Sequence, residues 1–321
     1  MDRTAMEQAT AIFSEHRELL FSIAYNILGD VADTEDVLQE AWLSWTRAES
    51  ELIDNPRAYL VRIAVNESLS RLRRLQRSRE SYVGPWLPEP LVTESDAEDS
   101  ALQAESVSLG LMVVLETLTP LERAVFVLRE AFGYSHGEIG TILGRTPSAV
   151  RQLAHRAREH VQARRPRVAV EQEVRKAVTE RFLAAAVGGD LNALMEVLAP
   201  DVEMWTDAGG QVPAARRVIT GRDKVTRLLT SDTIQRDLLT LRARYVTVNG
   251  DPAALLYDDA NHLYAVGMVE IDDDGRHVQA IYGIMNPNKL RRIAAEFGLG
   301  VVAPAGAGHP RRKGSAPRSE S

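Results

Sequence analysis

The sequence predicts a multidomain protein: two all-α units, the second a helix–turn–helix, followed by an α+β domain. Three observations predict it. The 321 residues exceed what one ordinary core holds. Apolar residues recur at helical spacing through 10–80 and again through 101–165. From about residue 170 the pattern changes, and after two more helical stretches come short alternating runs of β type, "VEMWTD", "LRARYVTVNG", "AALLYDD", "HLYAVGMVEIDDDG" and "HVQAIYGIMN". Helices first and strands later read as α+β.

The first helix places Ile12, Phe13, Leu19, Leu20, Ile23, Ala24 and Ile27 on one stripe, and Gly29 ends it. Asp33 or Thr34 is the expected cap of the second helix, whose apolar stripe is Leu38, Ala41, Trp42 and Trp45. Asn55-Pro56 reads as N-cap plus first helical residue of a third helix running to about Gln76. It ends in "RLRRLQRSR". Pro85, Pro88 and Pro90 then forbid helix, and an acidic stretch follows. Trp86 and Leu87 in this linker are costly to leave in water and are expected to dock. Beyond a basic run near Pro166, helices are expected at 171–187 and 190–198, and Asp273-Asp274-Gly275 signals a hairpin. The tail is rich in Gly, Pro and Ser and is expected to be disordered.

Composition is that of a globular protein, 45% hydrophobic and 26% charged. With no cysteine, disulfides and thiolate metal sites are excluded. No metal site and no cofactor is expected. The N-terminus lacks the pattern of a signal peptide, and no apolar stretch approaches the ~18 residues that cross a bilayer. The expectation is a cytoplasmic protein with no membrane contact. A formal net charge of −7 argues against general coating of nucleic acid but leaves room for local basic faces.

"YSHGEIGTILGRTPSAVRQLAHRARE" has helix–turn–helix grammar. The first helix is expected to bury Ile139 and Leu143, Gly144 permits the turn, Thr146 caps the second helix and Pro147 opens it. The second helix is expected to bury Val150, Leu153 or Ala154, and Ala157. Its other face carries Ser148, Arg151, Gln152, His155 and Arg156. Arginine and glutamine can bond two base-edge atoms in the major groove, while Ser148 at a helix N-terminus suits phosphate. A solvated basic face is the plainer alternative.

The order of parts resembles bacterial extracytoplasmic-function sigma factors. "DTEDVLQEAWLSW" resembles their polymerase-binding helix, "NPRAYLVRIAVNESLSRLRR" the regions that melt and hold the downstream promoter element, and "LTPLERAVFVLREAFGYSHGEIGTILGRTPSAVRQLAHRARE" the region that reads the upstream element. The resemblance implies core RNA polymerase and promoter DNA as partners. It implies polymerase contacts at Asp33, Glu35, Asp36, Gln39, Glu40 and Trp42. DNA contacts are implied at Arg62, Asn66, Arg71, Arg73, Arg74, Arg151, Gln152, His155 and Arg156, to which Ser148 is added from its position. The domains expected are 1–80 and 106–166 for the two helical regions, 81–105 for the linker, 170–297 for the third domain and 298–321 for the tail.

The third domain resembles the SnoaL-like domains of the nuclear-transport-factor fold, a cone of helices on a bent sheet. "WLPEP" at 86–90 and "NPNKL" at 286–290 resemble signatures of the sigma factors fused to it. Asp207-Ala208-Gly209-Gly210-Gln211 stands where that subgroup has Asp-Gly-Gly-Gly-Lys, without the lysine. Interdomain contacts are therefore expected at Trp86, Leu87, Pro88, Asp207, Asn286, Pro287 and Leu290. Trp205, Asp207, His262, Tyr264 and Tyr282 could line the cone and hold a small ligand, though aromatics on alternating strands are more often core. An alternative sigma factor regulated by its third domain is the leading expectation, and not an enzyme. A one-component regulator with a ligand-sensing cone stands beside it. A small-molecule enzyme with a targeting half stands further back.

Overall fold

The structure, a computed structural model, describes residues 3–48, 53–93, 107–163 and 170–302. The expected disordered tail lies almost wholly outside them, as does the linker from residue 94. The first three helices are α1 (Arg3–Leu28), α2 (Val31–Arg47) and α3 (Pro56–Arg79). Gly29 ends α1 with φ +75°, a value that side-chain-bearing residues rarely adopt. The cap of α2 is Asp30, not Asp33 or Thr34: its carboxylate accepts from Asp33 N at 3.0 Å, so the helix starts earlier than expected. Asn55 caps α3 by accepting from Ala58 N, with Pro56 behind it.

The second helical segment holds α4 (Leu109–Leu115), α5 (Pro120–Phe126), a π-helical turn at Val127–Ala131, α6 (His136–Leu143) and α7 (Pro147–Gln162). Capping boxes open α5 (Thr119 with Glu122) and α6 (Ser135 with Glu138). Gly144 ends α6 at φ +62°, and Thr146 accepts from Ala149 N to start α7. In α6 the deeply buried residues are Ile139 and Ile142, while Leu143 is only partly covered. In α7, Ala154 and not Leu153 fills the core beside Val150 and Ala157.

Both helical segments share one apolar core. Leu20, Ile23, Trp45, Leu60 and Leu72 from α1–α3 join Val125, Leu128, Ile139, Val150 and Ala157 in it. They are therefore not two modules held apart by a loose linker in this conformation. The apolar faces of α1 and α3 are wide enough to need α5 and α6 as cover.

The third domain holds α8 (Gln172–Gly188), α9 (Leu191–Val197), β1 (Leu198–Asp207), β2 (Ile219–Thr220), α10 (Arg222–Leu229), α11 (Asp232–Leu238), β3 (Leu241–Val248), β4 (Asp251–Asp258), β5 (His262–Ile271), β6 (Val278–Ile284), α12 (Pro287–Glu296) and β7 (Gly300–Val301). The sheet order is β2-β1-β6-β5-β4-β3, with β7 beside β5. Among its pairs β1–β6 and β5–β7 are parallel and the others antiparallel. Gly275, at φ +69°, makes the hairpin between β5 and β6.

Alternation along the strands sorts the sheet into two faces. Ala254, Leu256, Met204 and Ile281 meet Phe182, Leu183, Leu194 and Val225 of α8–α10. Leu255, Val266, Met268 and Tyr282 meet α12, Leu87 of the linker, and Leu109 and Val113 of α4. Helix α4 thus belongs to two cores, because its Met112 and Leu115 lie in the helical one.

This sorting corrects the expected cone lining. Trp205 pairs in register with Tyr282, and both lie on the face packed against α4 and the linker. Asp207 shares that face, opposite Ile284. His262 is exposed, its ring 3.3 Å from the Asp258 carboxylate. Tyr264 is the extra residue of a bulge between Leu263 and Ala265, within reach of the charge of Asp237 in α11 on the helix-covered side. The error has a simple source: a sheet has two apolar faces here, and alternation alone does not say which one is the cone.

Candidate nucleic-acid interface and interdomain junction

On α7 the residues Ser148, Arg151, Gln152, His155 and Arg156 are all exposed, opposite the buried Val150, Ala154, Ala157 and Val161. Arg151 and Gln152 carry no ion partner among the described residues. His155 lies 3.5 Å from Glu159, and Arg156 lies 3.1 Å from Glu122. The helix presents its polar face outward at the N-terminal end, where a helix enters a DNA groove.

On α3, Arg62, Asn66, Arg73, Arg74 and Arg77 are exposed and form a stripe within about a third of the helix circumference. Asn66 is not free. Its amide donates to the carbonyl of Arg62 at 2.7 Å and to that of Ile142, in α6, at 3.2 Å. The downstream-element helix and the helix–turn–helix therefore touch at the asparagine expected to meet a base.

Arg71 faces away from that stripe. Its Nε lies 2.5 Å from Asp33, and its Nη2 bonds Asp36. One expected DNA residue thus neutralises two expected polymerase residues. Burial is the main reason that the Asp33 carboxyl sits above the usual range, with Arg71 opposing it. Glu35 is held by Arg17 at 2.7 Å, and Trp42 packs edge-on to Phe13 with centroids 5.2 Å apart. Gln39 and Glu40 are exposed.

The linker is built into the interior. Leu87, Pro88, Glu89 and Pro90 are buried, and Trp86 is half-buried. Asp207, fully buried, accepts from Leu87 N at 2.9 Å, Tyr82 OH at 2.5 Å and Gly209 N at 3.1 Å. Its charge partner is Lys289, 6% exposed, at 2.7 Å. Lys289 also donates to the carbonyl of Leu87 and stands 4.0 Å from the centre of the Trp86 ring. Burial pulls its ammonium below the ordinary lysine range, with Asp207 opposing. Asn286 donates to Tyr82 OH at 2.8 Å, accepts from Gln211 at 3.1 Å, and caps α12 behind Pro287. Leu290 is buried in the same core as Leu87. The sequence reading singled out Asp207 and Asn286 but missed Lys289, which supplies the cation that the Gln211 position lacks.

Two further clusters escaped the sequence. Glu89 accepts from Val31 N at 3.0 Å at the start of α2, and its own amide donates to Gly29 O. Burial pushes its carboxyl up to about 7, with the Val31 amide opposing. Tyr25 OH donates to Glu89 O at 2.6 Å and receives Asn249 of the third domain at 2.9 Å. The other cluster is Glu116 between Arg79 of α3 and the buried Arg123 of α5. Burial alone would raise the Glu116 carboxyl, but the two guanidiniums hold it below the usual range. Arg79 also covers the Trp86 ring at 3.3 Å. Long-range partners of this kind leave no periodic trace in a sequence.

Among the described residues no helix is long and apolar enough to cross a membrane. No group of three metal-ligating side chains is present among them either.

An acidic second helix, an arginine-striped third helix and a helix–turn–helix on one core define a promoter-specificity factor. The chain belongs to the extracytoplasmic-function RNA polymerase sigma factors. Residues 12–78 match the Sigma-70 region 2 family and residues 108–161 the Sigma-70, region 4 family. It is 37% identical over 288 residues to the ECF RNA polymerase sigma factor SigJ of Mycobacterium tuberculosis (strain ATCC 25618 / H37Rv), spanning 87% of this chain and 92% of SigJ. The ECF RNA polymerase sigma factor SigG of M. tuberculosis (strain CDC 1551 / Oshkosh) is 26% identical over 293 residues, spanning 82% of this chain and 78% of SigG. The crystal structure of M. tuberculosis SigJ superposes with a TM-score of 0.70 at 34% identity, covering 88% of this chain and 98% of that one.

Proposed function

We propose that this sigma factor binds core RNA polymerase through α2, holds the downstream promoter element along the α3 stripe, and reads the upstream element with α7. The observation that supports this most directly is the placement of Arg151 and Gln152, exposed and unpaired among the described residues, on a helix whose other face is buried. Asn66 cannot meet a base while its side-chain amide is bonded to the Ile142 carbonyl. The conformation described is therefore the resting one, and engagement requires α3 and α6 to part. The third domain acts by contact: it clamps the linker between α3 and α4 through Asp207, Lys289 and Asn249. Regulation through a bound small ligand is less well supported, because the helix-covered face of the sheet is filled by apolar side chains.

The test is in vitro transcription with core polymerase on genomic promoter fragments. The full chain should direct initiation at a discrete set of promoters. DNA binding without polymerase, and no initiation, would favour the one-component regulator. Arg151→Ala should lose about 1–3 kcal/mol of discrimination for the upstream element. Equal loss on a scrambled element would make Arg151 a phosphate contact.

A further inference from the structure

We propose that the loop at 208–218 of the third domain is an additional binding site for the phosphate backbone of promoter DNA, through Arg216 and Arg217. It rests on the promoter-binding reading above and adds a DNA contact outside the two helical regions.

The loop is docked against the start of the linker, just past the end of α3. A Cβ at Gly84 would lie 3.8 Å from Ala215 O and 3.9 Å from the Arg216 Cα. Gly84 itself follows α3 by five residues, and the chain between them is turned back by Ser81 N to Ser78 O and Tyr82 N to Arg79 O. The other end of the loop is fixed too. Gly210 packs on Val83, Gln211 N donates to Ala208 O at 2.9 Å, and the Gln211 side chain donates to Asn286. The backbone that carries the two arginines is thus held in place relative to α3.

Charge points to the ligand. Arg216 and Arg217 are exposed, as are Arg73, Arg74 and Arg77 on α3. None of the five makes an ion pair among the described residues. The neighbouring arginines behave differently: Arg71 and Arg79 each have carboxylate partners. The sequence from 68 to 88 contains one acid, Glu80, and the 208–218 loop contains none. In a chain with 45 acidic residues and a net charge of −7, a run of cations on two adjoining elements without ion partners among the described residues is selective. Mutual repulsion disfavours such a grouping unless a polyanion covers it, and guanidinium groups match phosphate oxygens in a two-point geometry. A strand lying on the α3 stripe and passing its C-terminal end meets this loop next.

The experiment uses holoenzyme reconstituted from the full chain, on a promoter at which the wild type initiates. Binding is measured over a salt series for the wild type, Arg216→Ala/Arg217→Ala and Arg216→Lys/Arg217→Lys. The alanine pair should lower the slope of log affinity against log salt by roughly one to two, with equal loss on intact and scrambled upstream elements. The lysine pair should keep the wild-type slope. Competition by single-stranded and duplex oligonucleotides then tells which form of backbone the loop holds. Both arginines are exposed and unpaired among the described residues, so thermal midpoints should match the wild type; Arg216→Gln/Arg217→Gln repeats the test if the alanine pair misfolds. An unchanged slope in the folded variant overturns the site. Failure of the wild type to initiate anywhere would instead overturn the promoter reading.

Discussion

Asp207 and Lys289 are opposite charges taken out of water together, and each is satisfied by the linker as well as by the other. Removing one member of such a pair leaves a buried charge unmatched, which costs about 3–5 kcal/mol. Asp207→Ala should therefore lower stability by about that much in denaturant unfolding, and Asp207→Ala/Lys289→Met should be less destabilised than the sum of the single variants. Additive losses would mean that the two side chains are held by the linker alone. Asp207 was legible through the family resemblance, because it stands where the subgroup has Asp-Gly-Gly-Gly-Lys. Lys289 was not, since its role needs a helix 82 residues away to fold back on β1. Arg71 shows the same limit. Its place in an arginine run reads as DNA contact, but the helix turn points it at Asp33 and Asp36. Glu40→Ala is thus a cleaner probe of polymerase affinity than Asp36→Ala, because it leaves both ion pairs of Arg71 intact. Polymerase pull-down should show weaker binding for Glu40→Ala with an unchanged melting curve.

At the scale of elements, local chemistry was readable and long-range chemistry was not. Gly144, Thr146 and Pro147 fix the turn and start of α7 within four residues, so the helix–turn–helix was visible without any fold. The linker was visible as non-helical from its prolines, but not as a structural strut. Glu89 makes it one, tying Gly29 and Val31 to the segment. Its carboxyl is raised to about 7 in the folded protein. The folded state therefore binds the proton more tightly than the unfolded state does. Stability contributed by the protonated form is fully present below the ordinary glutamate range, near pH 4.5, and is lost as pH rises toward 7. Glu89→Gln should abolish that part of the pH dependence. Thermal melts should show the variant gaining on the wild type from pH 5 to pH 8; parallel curves would contradict the burial of the charge.

At the scale of the whole molecule, α3 and α7 share one apolar core, and Glu116 ties α3 to α5 through Arg79 and Arg123. With no native cysteine, a pair introduced on α3 and α6 beside the Asn66–Ile142 contact can be bridged by a short thiol cross-linker without side reactions. Bridging α3 to α6 should abolish promoter opening, and cleaving the linker should restore it. Full activity of the bridged protein would mean that the helices need not part. A truncation near residue 168 tests the third domain, but Leu87 and Leu109, both fully buried here, would then face water. The truncated chain should melt lower and bind apolar dyes more strongly than the full chain. The fold class was legible because periodicity reports on each element alone. The sharing of α4 between two cores was not, because a seven-residue helix apolar on nearly every side reads the same whether one neighbour or two will cover it.

That shared helix also sets a timetable. Synthesis delivers Leu109 and Val113 well before β4, β5, β6 and α12, which cover them. At about 5–20 residues per second, the ribosome needs roughly ten to forty seconds to supply the rest of the sheet. During that interval the nascent helical half carries a sticky, half-finished surface. Premature release should yield fragments that aggregate or recruit chaperones, so the fold of the promoter reader is complete only once α12 has left the ribosome.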